Sequence, residues 1–285
     1  MQLRQKIFCA LFLLLFILGL MRETRSLISF TTLPAAQNAN WAMNSLWDDG
    51  QAEVARYQAR RVVYGKQRSF ESFYITVKED FSPNYYVKAE VASKTNIPVL
   101  KLNVISTVAT EYYDYRYLTS VFVKRNNPMD LLKLTNGSQE WCGNTFKEVK
   151  NWQSNAAFVF HSYFDGEGDG TVNLDLRPGD LLEDQLPLAL RSLPFRVGYQ
   201  LRTRVADSLI SNRAKVPRMA ATSISVQADE NVNGWKAWRV QVKRDQLVQT
   251  YWFEQNFPNI MVQFVSSDGR DLILKERTRR RYWPS

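Results

Sequence analysis

The stretch that decides the fold is residues 235–283, WKAWRVQVKRDQLVQTYWFEQNFPNIMVQFVSSDGRDLILKERTRRRYW. Within it, short runs rich in valine, isoleucine and aromatic residues alternate apolar and polar side chains, as strands with one buried face do. Turn residues separate the runs, at Pro258 and Asn259 and then at Asp268 and Gly269. An Asp-Gly pair between two alternating runs is one of the strongest local signals for a β-hairpin. Consecutive strands joined by such turns predict an antiparallel sheet.

The same alternation recurs along the chain from Trp47 onward. The runs that carry it are residues 72–78, 99–106, 131–141, 156–164, 196–205 and 222–228. No long Pro, Gly or Ser linker divides them. We therefore predict a mainly β protein with one large curved antiparallel sheet, a half-barrel.

One segment breaks this alternation. DLLEDQLPLALRSL (180–193) carries leucines at 182, 186, 190 and 193, which is a helical spacing. Pro187 stands where a first helical turn tolerates proline. The pattern predicts one short helix that begins near Asp184 to Leu186 and separates an N-terminal from a C-terminal set of strands.

The first 26 residues have the pattern of an export signal. Arg4 and Lys6 precede an unbroken apolar run over residues 7–21, and the small residues Thr24 and Ser26 follow at a signal-peptidase spacing. This run of 15 residues is shorter than the roughly 20 that cross a bilayer, which favours a cleaved signal over a permanent anchor.

We therefore expect an exported protein, periplasmic or at the cell surface, with an anchor as the alternative to cleavage. The expected organisation is a signal peptide or membrane anchor (1–26), a linker (27–46) and a single β-rich domain (47–285). The linker is low in charge and suits either a tether or a helix packed on the domain.

The composition limits the chemistry that the domain can perform. His161 is the one histidine of the chain, and Cys142 is the one cysteine beyond the leader. An intramolecular disulfide in the exported chain and a multi-histidine zinc site are therefore excluded, and we expect no cofactor. The formal charge of +9 is scattered, which allows association with a membrane surface, while export removes the usual nucleic-acid partner.

A set of short motifs occurs in one order along the chain. They are WDDGQAEV (47–54), VVYG (62–65), TVKEDF (76–81), VLKLN (99–103), YDYRYLTSVF (113–122), SQEWCG (138–143) and SYFDGEGDG (162–170). As an ordered set they resemble an uncharacterised family of exported bacterial proteins, some of which carry the label septum formation inhibitor. The resemblance covers roughly residues 47–283 and implies export without an activity. The C-terminal strands are also similar in architecture to the lipoprotein-sorting β half-barrels, which wrap a sheet around an apolar ligand.

One hypothesis is catalytic and depends on the thiol of Cys142 and the imidazole of His161. Cys142 would act as the nucleophile and His161 as its base, with a carboxylate from Asp165, Glu167 or Asp169 to orient the ring, as in a thiol hydrolase. The competing interpretation is that Cys142, flanked by Trp and Gly, is a small core residue. His161 then serves as a hydrogen-bonded structural residue.

The DGEGDG sequence (165–170) offers a candidate metal site. Asp165, Glu167 and Asp169 supply hard oxygen ligands that suit calcium. The loop is shorter than an EF-hand and lacks its distal glutamate, so a glycine-rich turn explains the same residues without an ion.

A row of aromatic residues is the strongest candidate for ligand contact. Tyr113, Tyr115 and Tyr117 share one face of a predicted strand, where they form either an amphipathic platform or a cross-strand ladder. We predict Trp141 and His161 as further contacts. The expected function is non-catalytic binding of a lipid or other apolar or amphipathic ligand, or of a cell-envelope partner. The alternatives are the thiol hydrolase and a purely structural envelope protein.

Overall fold

The computed structural model describes residues 40–152 and 155–283, which belong to one compact unit. The predicted signal or anchor segment (1–26) and residues 27–39 of the predicted linker lie outside the described residues. Among the described residues, no helix is long and apolar enough to cross a bilayer.

Strands make up most of the described chain. They are β1 (Ala52–Val63), β2 (Lys66–Ser82), β3 (Val87–Lys88), β4 (Ile97–Val108), β5 (Tyr115–Lys124), β6 (Asn127–Glu140), β7 (Gly143–Trp152), β8 (Asn155–Ser162), β9 (Asp169–Leu174), β10 (Leu181–Leu182), β11 (Gln200–Ala206), β12 (Met219–Val232), β13 (Trp235–Arg244), β14 (Leu247–Glu254), β15 (Met261–Ser266) and β16 (Asp271–Arg280). The described helices are α1 (Asn40–Met43), α2 (Leu186–Ala189) and the 3₁₀ turns Ser45–Asp48, Glu183–Gln185 and Leu190–Ser192.

All of these strands form one sheet, in the order β10-β11-β12-β13-β14-β15-β16-β1-β2-β4-β5-β6-β7-β8-β9, with β3 paired to β2. Neighbours are antiparallel except β10 and β11, which are parallel. Strand β1 lies near the middle, because β16 pairs with one of its edges and β2 with the other. The prediction of a large antiparallel sheet is confirmed, and the described residues contain two short helices rather than one.

The connection between β9 and β10 requires the sheet to curve. These strands stand at opposite ends of the order, yet only residues 175–180 join them. Six residues reach at most about 25 Å, whereas fifteen flat strands would span roughly 67 Å. The sheet therefore bends until its two edges approach each other, without closing.

Strand β5 illustrates how the sequence builds the inner face. Tyr115, Tyr117, Thr119, Val121 and Val123 are all buried, and the residues between them are exposed or half-buried. Because successive side chains point to opposite faces, this alternation directs the first set into the curve and the second set, which includes Leu118 and Phe122, outward.

Residues 181–193, called here the buried segment, fill the inside of the curve. Every residue of the segment except Pro187 is buried. Leu181, Leu186 and Leu190 pack with the C-terminal strands, while Leu182 and Leu188 pack with the N-terminal strands. The predicted helix is present here as α2 between two 3₁₀ turns. The chain's own leucines therefore fill the inside of the curve, which is not the open space around an apolar ligand that the similarity to lipoprotein-sorting half-barrels implies.

Residues 40–48 of the N-terminal region are packed on the domain. Trp41 and Trp47 are fully buried, with ring centroids 5.3 Å apart. The Trp41 Nε1 group donates to the Pro258 carbonyl at 2.8 Å, and Arg125 donates to the Asp48 carboxylate at 2.6 and 2.7 Å. The last residues of the predicted linker thus contribute to the core.

Candidate functional site

The two ends of the buried segment differ in charge and in access. At its C-terminal end, Arg191 makes a bidentate pair with Glu53 at 2.7 and 2.8 Å and also donates to the Pro258 carbonyl. Both side chains of this pair are almost fully buried. The guanidinium also stacks over Trp41, 4.7 Å from the ring centroid. This end is closed and charge-balanced.

The N-terminal end of the segment borders a cleft. The cleft consists of two adjoining cavities of about 100 and 310 Å³. Both are bordered by Arg61, Glu183, Ile210 and Arg270. The apolar part of the smaller cavity is lined by Phe70, Tyr74, Val104, Tyr251, Met261 and Phe264. The larger cavity is lined mainly by charged and polar residues.

Most charges in the cleft are paired within the protein. Glu183 accepts hydrogen bonds from Arg244 at 2.6 Å and Gln249 at 2.9 Å, and it pairs with Arg270 at 2.7 Å. Arg270 also pairs with Asp268 at 2.6 Å. These two carboxylates raise the pKa of the Arg270 guanidinium against the lowering effect of its burial. The network leaves these groups little capacity for a ligand.

Asp184 is a buried carboxyl group at the edge of the smaller cavity. It accepts from the Ser208 hydroxyl at 2.5 Å and from the Leu209 N–H at 2.7 Å. Burial raises the pKa of Asp184 to about 6, and the two hydrogen bonds oppose that shift. Asp184 therefore fixes the start of the loop that follows β11.

This loop, residues 207–216, is called here the covering loop. Lys147 on β7 is fully buried and donates to the carbonyls of Leu209, Ser211 and Arg213 at 2.5, 2.6 and 3.1 Å. Burial lowers the pKa of Lys147 to about 8. The ammonium group holds the covering loop against β7, because one charged donor satisfies three loop carbonyls.

Arg61 is the charged residue of the cleft whose partners are weakest. On β1, Tyr57 and Ala59 point inward, and alternation directs Arg61 to the same side. Its Nη2 group donates to the Ile210 carbonyl at 3.4 Å, and its guanidinium lies 5.3 Å from the Tyr117 ring centroid. Its buried Nε group has no hydrogen-bond partner within the described chain. Burial lowers the pKa of Arg61.

The predicted tyrosine row leads to this arginine. Tyr115 stacks on Tyr117 with centroids 6.3 Å apart, and Tyr113 lies 5.5 Å from Tyr115. Trp141 stacks on Tyr113 at 6.1 Å and is 84% exposed. The four predicted aromatic contacts are thus brought together, with Tyr117 buried beneath Arg61 and Trp141 in solvent.

The structure separates His161 from this row. His161 is paired in register with Phe146 of β7, whose neighbours Thr145 and Lys147 point inward, so the imidazole lies on the outer face. Its Nδ1 atom is 3.3 Å from the Asp169 carboxylate.

Cys142 has a different partner from the one that thiol catalysis needs. The exposed Cys142 Sγ donates to the Tyr113 hydroxyl at 3.2 Å. Among the described residues, no hydrogen bond joins Cys142 to His161. The arrangement therefore lacks the nucleophile–base contact of a thiol hydrolase.

The candidate calcium ligands also point to separate partners. Glu167 accepts from the Ser162 hydroxyl at 2.6 Å and the Ala214 N–H at 2.9 Å, so it supports the covering loop. Asp169 contacts His161 instead. Within residues 40–152 and 155–283, no cluster of three or more His, Cys, Asp or Glu side chains is arranged to hold a metal ion.

Sequence reasoning missed the charged residues of the cleft. The inward position of Arg61 was readable from its alternation with Tyr57 and Ala59. The acidic pair Glu183 and Asp184 stood in the predicted helix without an obvious role. Nothing in the sequence indicated that these residues, more than 120 positions from Arg61, line the same cleft.

Comparison with protein-family models, with curated proteins and with solved structures finds no match for this chain.

Proposed function

We propose that this protein is an exported, non-catalytic protein of the cell envelope that binds an amphipathic ligand in the cleft. The observation that carries the proposal is the division of the cleft into an apolar cavity and an adjoining charged one. Binding sites for small molecules combine apolar walls with a few convergent polar groups in this way. Envelope location rests on the leader predicted from residues 1–26.

The dimensions of the cleft restrict the ligand. The apolar cavity of about 100 Å³ admits only a short apolar group, since ligand pockets usually measure roughly 300–1,000 Å³. The charged cavity of about 310 Å³ reaches that range. The ligand therefore buries one short apolar end, and its polar part occupies the larger cavity. Each methylene group that is buried contributes about 0.8 kcal/mol.

The surroundings of Cys142 give the thiol hydrolase no support. The Cys142 thiol and the His161 imidazole have separate partners, Tyr113 and Asp169. A purely structural envelope protein differs from a ligand-binding one in a measurable way, because it co-purifies with no small molecule.

The test is native mass spectrometry of the full chain extracted from its own membrane. Ile210 borders both cavities and lies in the covering loop, so Ile210→Trp should fill the mouth of the cleft without a change in any strand. Val216→Trp is the matched control, because Val216 belongs to the same loop and is exposed.

We expect a bound small molecule on the wild type and on Val216→Trp, and its loss from Ile210→Trp. Thermal unfolding of the three proteins checks that each is folded. Retention of the molecule by folded Ile210→Trp, or its absence from every protein, would contradict the proposal. The second outcome would favour the structural alternative.

A further inference from the structure

The arginines of the cleft differ in how their charge is satisfied. Arg60 pairs with Asp271 at 2.7 Å, Arg244 with Glu183 at 2.6 Å, and Arg270 with both Glu183 and Asp268. The remaining arginine, Arg61, pairs with no carboxylate in the part of the chain that the structure describes, although it borders both cavities.

The protein gives Arg61 only weak neutral contacts. Its hydrogen bond to the Ile210 carbonyl is long, at 3.4 Å, and its Nε group is buried without a partner. The Tyr117 ring covers the guanidinium at 5.3 Å. Stacking on an aromatic ring holds a guanidinium in place and leaves its N–H edge available to an acceptor.

The acidic residues of the cleft are already engaged. Asp268, which interacts electrostatically with Arg61, pairs with Arg270 at 2.6 Å. Asp184 accepts from Ser208 and Leu209, and Glu183 accepts from Arg244 and Gln249. Asp268 and Asp184 act on the Arg61 charge only from a distance, and no carboxylate of the described chain forms an ion pair with it. A partly buried cation without a counter-charge is unfavourable on its own, and an anion supplied from outside would relieve this.

We propose that the polar part of the ligand is an oxyanion, a carboxylate or a phosphate, and that Arg61 binds it. This inference rests on the proposed function and specifies the class of ligand. The guanidinium presents paired N–H donors that match two oxygens of such a group, whereas a neutral hydroxyl can use only one. Because the apolar cavity adjoins Arg61, the oxyanion is attached to a short apolar chain.

The test is isothermal titration calorimetry of the full chain at pH 7 with probes that separate charge from apolarity. Octanoate and mono-octyl phosphate carry both features, 1-octanol carries only the chain, and inorganic phosphate carries only the charge. The variants are Arg61→Gln and the control Arg116→Gln, since Arg116 is exposed on the neighbouring region of β5 and lines neither cavity.

We expect octanoate or mono-octyl phosphate to bind the wild type at least tenfold more tightly than 1-octanol. Arg61→Gln should remove this preference and leave the affinity for 1-octanol within twofold, while Arg116→Gln should behave as the wild type. Weak binding of inorganic phosphate identifies an anionic amphiphile as the ligand. Tight, Arg61-dependent binding of inorganic phosphate would support the oxyanion site and identify a free ion as its source.

Three outcomes would overturn the inference. If 1-octanol binds as well as the charged probes and Ile210→Trp abolishes its binding, the oxyanion inference is wrong and the proposed function stands. If no probe binds the wild type, the oxyanion inference and the proposed function fail together. An Arg61→Gln protein that keeps the charged-probe preference would also exclude Arg61 as the binding residue.

Discussion

The two ends of the buried segment place an arginine in opposite circumstances. Arg191 has a bidentate carboxylate partner in Glu53, a carbonyl acceptor in Pro258 and no accessible space around it. Arg61, at the other end, has one long hydrogen bond and faces two cavities. Both residues are arginines on the inner side of the sheet. They differ in their interaction partners and not in residue type.

This contrast separates what stabilises the fold from what is available for binding. A buried ion pair with complete hydrogen bonding holds its elements together, and removal of one partner leaves an uncompensated charge. A cation without such a partner adds little to stability and keeps its binding capacity. Buried charges without a partner often lower the free energy of unfolding and are retained because they serve a function.

The largest expected effect comes from breaking the closed end. Arg191→Gln leaves the buried Glu53 carboxylate without its partner, and such a loss typically costs about 3–5 kcal/mol of unfolding free energy. Urea unfolding followed by tryptophan fluorescence measures it. The same change at Arg218, whose pair with Asp245 at 2.6 Å is well exposed, should cost less than about 1 kcal/mol.

A double variant shows whether the uncompensated charge is the cause. Glu53→Gln combined with Arg191→Gln removes both charges and should recover much of the loss. Equal instability of the single and double variants would instead attribute the effect to packing of Arg191 on Trp41 and Trp47. The closed end would then owe its stability to apolar contacts.

The second effect is a pH dependence at the open end. The pKa of Asp184 is raised from 3.8 to about 6 in the folded protein, so the folded state binds more protons between these values. The associated stability is fully present below about pH 3.8 and is lost as the pH rises through about 6. Between pH 4.5 and 7.5 this amounts to about 2 kcal/mol.

Asp184→Asn removes this titration and keeps one oxygen, which can accept from either Ser208 or Leu209. The unfolding free energy of the wild type and of Asp184→Asn is measured at both pH values. Subtracting one from the other removes the pH-dependent contribution of the carboxyl groups that the two proteins share. We expect the wild type to lose about 2 kcal/mol relative to the variant from pH 4.5 to 7.5. A difference that does not change with pH would show that Asp184 titrates normally.

Much of the fold was predictable because its signals are local. The Asp268-Gly269 pair lies in the turn between β15 and β16, with Gly269 at a φ of +88° that suits glycine. The predicted shared face of Tyr115 and Tyr117 is the inner face of β5, where both side chains are buried. The leucine spacing of residues 180–193 likewise predicts the helix, since each of these patterns depends on neighbours within a few positions.

The filling of the curve and the cleft was not predictable, because both depend on distant contacts. The pairing of β1 with β16 joins residues more than 200 positions apart. Leucine spacing indicates that one helical face is apolar, but it does not indicate that both sets of strands enclose the segment. Whether Arg61 has a carboxylate partner depends on the positions of Glu183 and Asp184 in the folded protein. The periodicity of the sequence does not predict those positions.

The third effect concerns the covering loop over the open end. Lys147→Met leaves the carbonyls of Leu209, Ser211 and Arg213 without their donor, which should cost about 2 kcal/mol. Hydrogen exchange should accelerate in residues 207–216 more than in the β-strands. Lys243→Met, at an exposed position of β13, is the control. Unchanged exchange in the loop would show that Lys147 does not hold it closed.

The smallest expected change in unfolding free energy is that of Arg61→Gln, and it decides whether Arg61 and Arg191 differ in their contribution to stability. Arg61→Gln removes a partly buried cation that has weak contacts, so its unfolding free energy should lie within about 0.5 kcal/mol of the wild type or above it. The lost contact with the Tyr117 ring, roughly 0.5–1 kcal/mol, is offset by the relief of a charge that burial disfavours. Urea unfolding of Arg61→Gln beside Arg191→Gln gives a direct measurement. A loss above about 2 kcal/mol would class Arg61 with Arg191 as a stabilising residue. A near-zero change leaves ligand binding as the property in which the two arginines differ.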